Sequence, residues 1–493
     1  MEIFGSKVLF SLSDIQLGDG SNGTSNYNKL RESHQTAMST YPGKEIVYPE
    51  PGPRPLYLEI PSGNVASIKL GGSVDFNGWT FKVKNVLKTN HYLFKLAPFS
   101  SNSRDNDSLK QPASVALAPD QWGQLVEGGQ ISGLDNNAKL LIITENTIWT
   151  YRYDRGTWGN AFYRKDLLFM YDGIIRNNPI KSYNSTSGPD CTSLDVDMSL
   201  KTIRNLNIIR TADSTCVTNL ILVRYQYNVS IKNVSIDTPI SEMTHDSCFM
   251  IADSAKIYME RIKIHNTYSK EADYGYGFVL DNVWDSCFRY LEAHQAVKGV
   301  FSTFNTNCIQ VSDSELNRID VHCYGKDVTC VNCFFHNDTP NTNHIINRFS
   351  SLFGTLTYRN CRFDNFIPVR QDTYYDALTA FDVVMEDCTM NITTGRCKIC
   401  DILRIYHERH MTRSELMERC LPNLKISNLR VNINEAVHYI DFYHIGVIED
   451  SSDNCFGHMD EFSADINIFG VDTSHTLTIQ GCNYNYCCPL NCR

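Results

Sequence analysis

The chain has 493 residues, 20% of them charged, and a formal net charge of −10. That acidic balance argues against a nucleic-acid backbone as partner, which needs a basic surface. The length allows a large core, and no run approaches the roughly 18 apolar residues of a membrane span.

Residues 1–60 read as an entry segment. Met1 is followed by Glu2, Ile3, Phe4, Gly5, Ser6 and Lys7 and a short apolar patch ending at Leu12. This is not the basic start and apolar core of a secretion signal, so the expectation is a chain made and folded in a cytoplasm. Residues 18–23 form a loop by composition. Ser25 or Asn26 is placed to cap a short helix running to Ser39, and Tyr41-Pro42-Gly43 stops it. A strand at 45–48 follows, ended by Pro49.

Residues 61–200 read as early, irregular coils. Strands are expected at 56–60, 67–70, 79–86, 92–96 and 140–144, without a clean period. The stretch 151–200 is rich in Tyr, Asn, Ser and Asp.

Residues 201–392 carry a repeat. Copies are Asn205-Leu206-Asn207-Ile208-Ile209, Asn233-Val234-Ser235-Ile236-Asp237, Arg261-Ile262-Lys263-Ile264-His265, Tyr290-Leu291-Glu292-Ala293-His294 and Arg318-Ile319-Asp320-Val321-His322. Later ones begin at Asn360 and Asp387. Polar and apolar residues alternate, so each is a strand with one buried face. The spacing is 28 or 29 residues from 205 to 318. A fixed period of this size, holding several short strands, predicts an all-β solenoid, a parallel β-helix. One copy is out of step: Asn332-Cys333-Phe334-Phe335-His336 starts 14 residues after Arg318 and 28 before Asn360. The reading is a shortened circuit or a register shift just after His322.

Residues 393–493 break the period. The stretch 397–420 reads as helical, with Pro422 ending it. Strands at 428–432 and 481–485 and a cysteine-rich cap at 487–492 follow. None of the 18 cysteines precedes Cys191, and Cys361 and Cys388 occupy apolar positions matching Val234 and Ile262. They read as small buried hydrophobes rather than disulfides.

The opening helix, the motif Gly43-x-x-Ile46-x-Tyr48-Pro49 and the repeated strands together resemble pectin-lyase-like right-handed parallel β-helices. The resemblance is to bacteriophage tailspikes and polysaccharide depolymerases. Tyr274-Gly275-Tyr276-Gly277 and residues 320–326 also resemble phage and prophage β-helix proteins. The resemblance implies an N-terminal helical cap, a virion tail location, a homotrimer, other tail proteins as neighbours, and recognition and depolymerisation of a bacterial surface polysaccharide. It implies no cofactor. The alternative is a non-catalytic tail or appendage component that binds a glycan.

Stacked coils put equivalent residues about 4.8 Å apart. One outward column is then Ser235, Lys263, Glu292 and Asp320, and the next is Asp237, His265, His294 and His322, flanked by Arg261, Tyr290 and Arg318. Two neighbouring carboxylates are what glycoside hydrolysis uses, one as acid and one as base or nucleophile. The expected catalytic residues are therefore Glu292 and Asp320, with His294 and His322 assisting. Arg318, Tyr290, Tyr274 and Tyr276 are expected to hold the sugar. Lys263–Glu292 and Arg318–Glu292 read more simply as a surface ion-pair ladder of little energetic value. Glu271 and Asp273 are secondary acid candidates. Cys397, Cys400, His407 and His410 are zinc-type ligands, but their spacing departs from a zinc finger's and no metal is expected.

Overall fold

In the computed structural model the described residues are 2–13, 15, 22–61, 66–85, 92–100, 108–154, 157–184, 188–211, 219–237, 247–265, 276–293, 301–336, 346–349, 352–372, 381–392, 399–407, 422–433, 439–447, 462–469, 478–480 and 490–492. The chain forms two units: residues 1–144 with 166–300, and residues 145–165 with 301–493. The fold is a right-handed parallel β-helix with a helical cap at its N-terminal end. Right-handed crossover is the usual sense for parallel strands.

The cap of the first unit is the helix Gly23–Thr40, which buries Asn26, Tyr27, Leu30, His34 and Ala37. It begins earlier than Ser25 and has no side-chain cap. Asn26 instead turns inward and donates to the Tyr57 carbonyl at 3.1 Å. Below it lies a run of aromatic rings. Phe10, His34 and Tyr48 meet at centroid distances of 4.8 to 5.8 Å, and Tyr48 packs on Phe76 at 4.9 Å. The helix thus closes the apolar end of the coil against water.

Two early coils end with the strand Tyr92–Leu96. The chain then leaves the solenoid for a separate sheet, whose strands include Ala113–Val115 and Pro189–Asp195. It rejoins at Lys201–Arg210, where Asn207 pairs with Thr80 in parallel. The bond from Arg204 Nε to Asp75 Oδ2, 2.9 Å, therefore spans 129 residues. Coils are expected throughout 61–200, but the strands from Ala113 to Asp195 belong to the separate sheet instead. Leu140, Ile142, Leu167, Phe169 and Leu194 of the inserted sheet pack on Tyr225, Tyr227 and Ala255 of the coils.

Regular coils follow. The strands Lys201–Arg210, Tyr227–Asp237, Ser247–His265 and Tyr276–Ala293 pair in parallel. They stack Leu206, Val234, Ile262 and Leu291 in one inward column. All four are at least 98% buried. The alternation seen in the sequence is this inward column and its outward neighbours.

The second unit repeats the plan with unequal coils. Bonded equivalents lie 19 residues apart from Asp313 to Asn332, 28 from Asn332 to Asn360, 27 from Arg359 to Glu386 and 41 from Asp387 to Asn428. Leu316, Phe335, Phe363, Met390 and Val431 form its matching inward column. Phe335 and Phe363 stack at 5.1 Å with planes 7° apart.

Two expectations change here. Residues 399–407 are a strand, Ile399–His407, not part of a helix. Leu403 pairs with Val369 on one side and Tyr443 on the other, and such non-local pairing overrides local preference. The rest of the expected helix, 397–398 and 408–420, lies outside the described residues.

The Arg318–His322 copy also belongs elsewhere. Its strand, Ile319–Val331, aligns Asp320 with Ser302 and Arg348. The residues aligned with the Asn360 copy are Asn332 and, before it, Asp313. The register change therefore precedes Arg318 rather than following His322.

Burial lowers the His34 pKa to about 3. Its Nε2 lies 2.7 Å from the Tyr48 hydroxyl. Between that value and the unfolded pKa near 6.5, the unfolded state binds the extra proton. Cap stability is therefore complete above pH 6.5 and falls as the pH drops toward 3, on the order of 1 kcal/mol per pH unit. Hydrogen exchange of the Tyr48 amide, which donates to the Asp75 carbonyl, should accelerate between pH 6.5 and 5 beyond its intrinsic pH dependence. His34→Leu should flatten that excess.

Candidate functional site

In the first unit the outward columns form as expected up to Glu292. Ser235 aligns with Lys263, Lys263 with Glu292, and Asp237 with His265. Lys263 Nζ lies 2.6 Å from Glu292 Oε2, and His265 Nε2 lies 3.8 Å from Oε1. Tyr290 is 39% exposed. The guanidinium groups of Arg289 and Arg261 lie over its ring at 4.5 and 5.6 Å. The face is thus a cation–carboxylate and cation–π ladder. Tyr276 opens the strand Tyr276–Ala293 and aligns with Ser247. Trp284, in register with Ala255, packs on the cluster where the inserted sheet meets the coils. Tyr274, His294, Glu271 and Asp273 lie outside the described residues, as do Cys397 and His410.

Asp320 is not on the wet face. It is fully buried, in the second unit, and paired with Arg318, itself 98% buried. Nearby, Ile319 N donates to Asn347 Oδ1 at 2.8 Å. Asn347 Nδ2 then donates to the Tyr358 hydroxyl, which donates to the Pro368 carbonyl. Arg318 and Asp320 are thus a buried ion pair in the interior rather than residues of the wet face. The backbone of His322 lies in the same strand, and its side chain lies outside the described residues.

Counting from the corner residue gives a different equivalence. Glu292 stands two residues after Tyr290, which has positive φ, and Glu315 stands two residues after Asp313, which also has positive φ. Glu315 thus occupies in the second unit the strand position that Glu292 occupies in the first. The signal was present in Asp313-Ser314-Glu315-Leu316, but a serine sits where the pattern expects an apolar residue.

From Glu315 the outward column of the second unit continues through Phe334, Arg362, Thr389, Arg430 and Asn467. The next column holds Asp364, Asn391, Asn432 and Phe469. Its amides are chained: Asn432 Nδ2 donates to Asn391 Oδ1 at 2.7 Å, and Asn391 Nδ2 to Asp364 Oδ1 at 2.6 Å. Arg362 forks onto Asp364 with bonds of 2.9 and 2.5 Å, and that pairing raises the Arg362 pKa. Its guanidinium also lies over Phe334 at 4.5 Å. Phe334 stacks on His336 at 4.1 Å, and His336 Nε2 lies 3.8 Å from Glu315. Arg430 Nε donates to Asn432 Oδ1 at 2.8 Å, with its guanidinium over Phe469 at 4.3 Å. Between these side chains runs a shallow groove of 510 Å³, lined by Asn360, Arg362, Thr389, Asn391, Arg430 and Asn432. Planar donors and acceptors held rigid by their neighbours are what a polyhydroxylated ligand needs.

No protein-family model matches the sequence, and no curated protein matches it. Solved structures do. The tailspike gp61 of Pseudomonas phage phi297 is 11% identical, covering 94% of this chain and 76% of its own, with a TM-score of 0.51. The tailspike gp49 of Pseudomonas phage LKA1 is 12% identical, covering 91% and 76%, with a TM-score of 0.50. The chain shares the parallel β-helix fold of these two tailspike structures.

The two acidic positions, Glu292 and Asp320, should separate cleanly on mutation. Asp320→Ala leaves a buried arginine without its carboxylate and should destabilise the second unit by about 3–5 kcal/mol. Glu292→Ala removes one exposed ion pair and should cost about 1 kcal/mol or less. Urea titrations of both variants check this, and equal losses would contradict the assigned burial.

Proposed function

We propose that this chain is a tailspike-like protein of a phage virion tail that recognises a bacterial surface polysaccharide. The observation that carries the reading is the rigid outward face from Phe334 to Arg430. It offers chained amides, two arginines and aromatic rings along one open groove. The tailspike fold supports the setting in a virion, assembled in the host cytoplasm as a homotrimer beside other tail proteins. An acidic net charge and a mixed, neutralised ladder suit a hydrated sugar better than a polyphosphate.

Cleavage of the bound polysaccharide is the second reading. It is favoured by Glu292, which has His265 within 3.8 Å and an exposed tyrosine on the same strand. Glu292 is the acid–base candidate and Tyr290 a sugar-contact candidate.

Purified protein incubated with lipopolysaccharide and capsule preparations from a panel of bacteria should bind at least one of them. Replacing Asn391 and Asn432 together with Ala should weaken that binding about tenfold or more. Retention of full affinity by the double variant would remove the site. If the polysaccharide is cut, new reducing ends or unsaturated sugars appear, and Glu292→Gln abolishes them. Binding without either product leaves recognition alone.

A further inference from the structure

We infer that the stacked thiols of Cys333, Cys361 and Cys388 form a two-coordinate site for a soft monovalent cation of the copper(I) or silver(I) class, held between Cys361 and one of its neighbours. Each of the three follows a left-handed corner residue, Asn332, Asn360 or Asp387. They stand one above another, since Phe334, Arg362 and Thr389 beside them are in register. Cys361 hydrogen-bonds Cys333 on one side and Cys388 on the other, and Cys333 also reaches Cys330. All four cysteines are at least 98% buried.

The fold does not require sulfur at this slot. After the left-handed corner residues of the first unit the chain carries Leu206, Val234, Ile262 and Leu291, all buried. In the second unit Ser314 and Leu429 occupy the slot in other coils. Ser314 makes the corner bond with a hydroxyl, to the Ser312 carbonyl at 2.6 Å. Packing and hydrogen bonding are thus both met by other side chains. Successive cysteines add what neither supplies, a pair of adjacent soft ligands.

Electrostatics favours a cation there. Cys333 Sγ lies 3.4 and 3.6 Å from the Val331 and Val311 carbonyl oxygens. Cys361 Sγ lies 3.4 and 3.5 Å from those of Cys330 and Arg359, and Cys388 Sγ 3.6 and 3.3 Å from those of Tyr358 and Glu386. Each thiol has one proton to give and two carbonyl oxygens facing it. Such oxygens disfavour a lone thiolate and favour a positive ion beside it.

Spacing selects the coordination. Equivalent atoms of stacked strands lie roughly 4.8 Å apart. A disulfide needs its sulfurs about 2.05 Å apart, which would drag both away from their carbonyls. Two metal–sulfur bonds of roughly 2.3 Å span roughly 4.6 Å when straight and less when bent, so an ion fits between neighbours where they stand. Among the described residues no three His, Cys, Asp or Glu side chains converge as a metal site, which sets aside a tetrahedral zinc-type cage. Charge selects the valence. One thiol passes its proton to water and binds as thiolate, while its neighbour binds as a neutral thiol. A monovalent ion then leaves the buried site without net charge, which a low-dielectric interior favours. Cys361 also lines the 510 Å³ groove, which gives the ion a way in.

The test titrates the full chain, reduced and kept free of oxygen, with copper(I) in competition with a chromophoric copper(I) chelator. Cys361→Ser keeps a hydroxyl donor of the kind Ser314 supplies, and should bind one copper(I) fewer than the unsubstituted chain. Cys361→Val, matching Val234 at this slot, should show the same loss. Cys333→Ser and Cys388→Ser should each retain the ion, because Cys361 keeps one neighbour, and the two together should lose it. Cys191→Ser, in the inserted sheet, should change nothing. Copper(I) should raise the melting temperature of the unsubstituted chain more than that of Cys361→Ser. Equal melting profiles without metal show that the variants fold. Equal copper(I) uptake by the unsubstituted chain and both Cys361 variants overturns the site. Full loss in either neighbour variant alone overturns the pairwise coordination. Zinc displacing copper(I) at equal concentration overturns the soft-ion assignment.

Discussion

Each coil changes direction where the chain passes through a residue with positive φ, and these residues stand above one another. In the first unit one such column is Asn205, Asn233, Arg261 and Tyr290; in the second it is Asp313, Asn332, Asn360, Asp387 and Asn428. A left-handed residue with a side chain costs roughly 1–2 kcal/mol, least for Asn and Asp. The structure offsets that cost by linking neighbours in the column. Asn233 donates to Asn205 at 3.0 Å, Asn360 to Asn332 at 2.9 Å and Asn428 to Asp387 at 2.8 Å. Two further columns of the first unit, Tyr225, Asp253 and Asn282 and then Asn228, Lys256 and Asp285, do the same work at other corners. Everything outward depends on these corners, since they set which residue of each coil faces water.

The corner also explains the cysteines. The residue after the left-handed one points inward, beside the carbonyl two residues before it, which also accepts a backbone N–H from the neighbouring coil. Cys333, Cys361 and Cys388 donate their thiols to the carbonyls of Val331, Arg359 and Glu386 at 3.3 to 3.5 Å. Ser314 and Ser254 make the equivalent bond with a hydroxyl, to Ser312 and Ala252, each at 2.6 Å. Reading these cysteines as small apolar residues was right about their burial. It omitted their second role as weak donors to buried carbonyls. Contact with neighbouring thiols, together with burial, pushes all three thiols well above the ordinary range, so each is held as a neutral donor.

Seen this way, what was legible in the chain follows a physical line. The period survives in sequence because the inward columns demand apolar residues at fixed spacing, and Leu206, Val234, Ile262 and Leu291 record it. The register of Asp320 does not survive, because Arg318-Ile319-Asp320-Val321 alternates as well as any true copy. Only the left-handed corner separates the two: Asn332 has φ of 55°, and Arg318 is absent from the positive-φ residues. An Asn or Asp one residue before the inward slot is thus a better marker than alternation alone. The strand Ile399–His407 was hidden for a related reason. Its partners, 34 and 40 residues away in sequence by the Val369, Leu403 and Tyr443 alignment, leave no trace in local composition.

The recognition face was the least legible part because it exists only across unequal coils. Arg362 and Arg430 are two coils apart, yet 27 residues lie between Arg362 and Thr389 in register and 41 between Thr389 and Arg430. No fixed spacing would bring them together on paper. The core tolerates this inequality, since Met390 and Val431 keep the same inward column across the 41-residue interval. Outward positions are therefore free of the period in composition while held to it in space. That separation lets a solenoid vary its exposed ladder from coil to coil, from Lys263 and Glu292 to Arg362, Thr389 and Arg430, without disturbing the column of apolar side chains beneath.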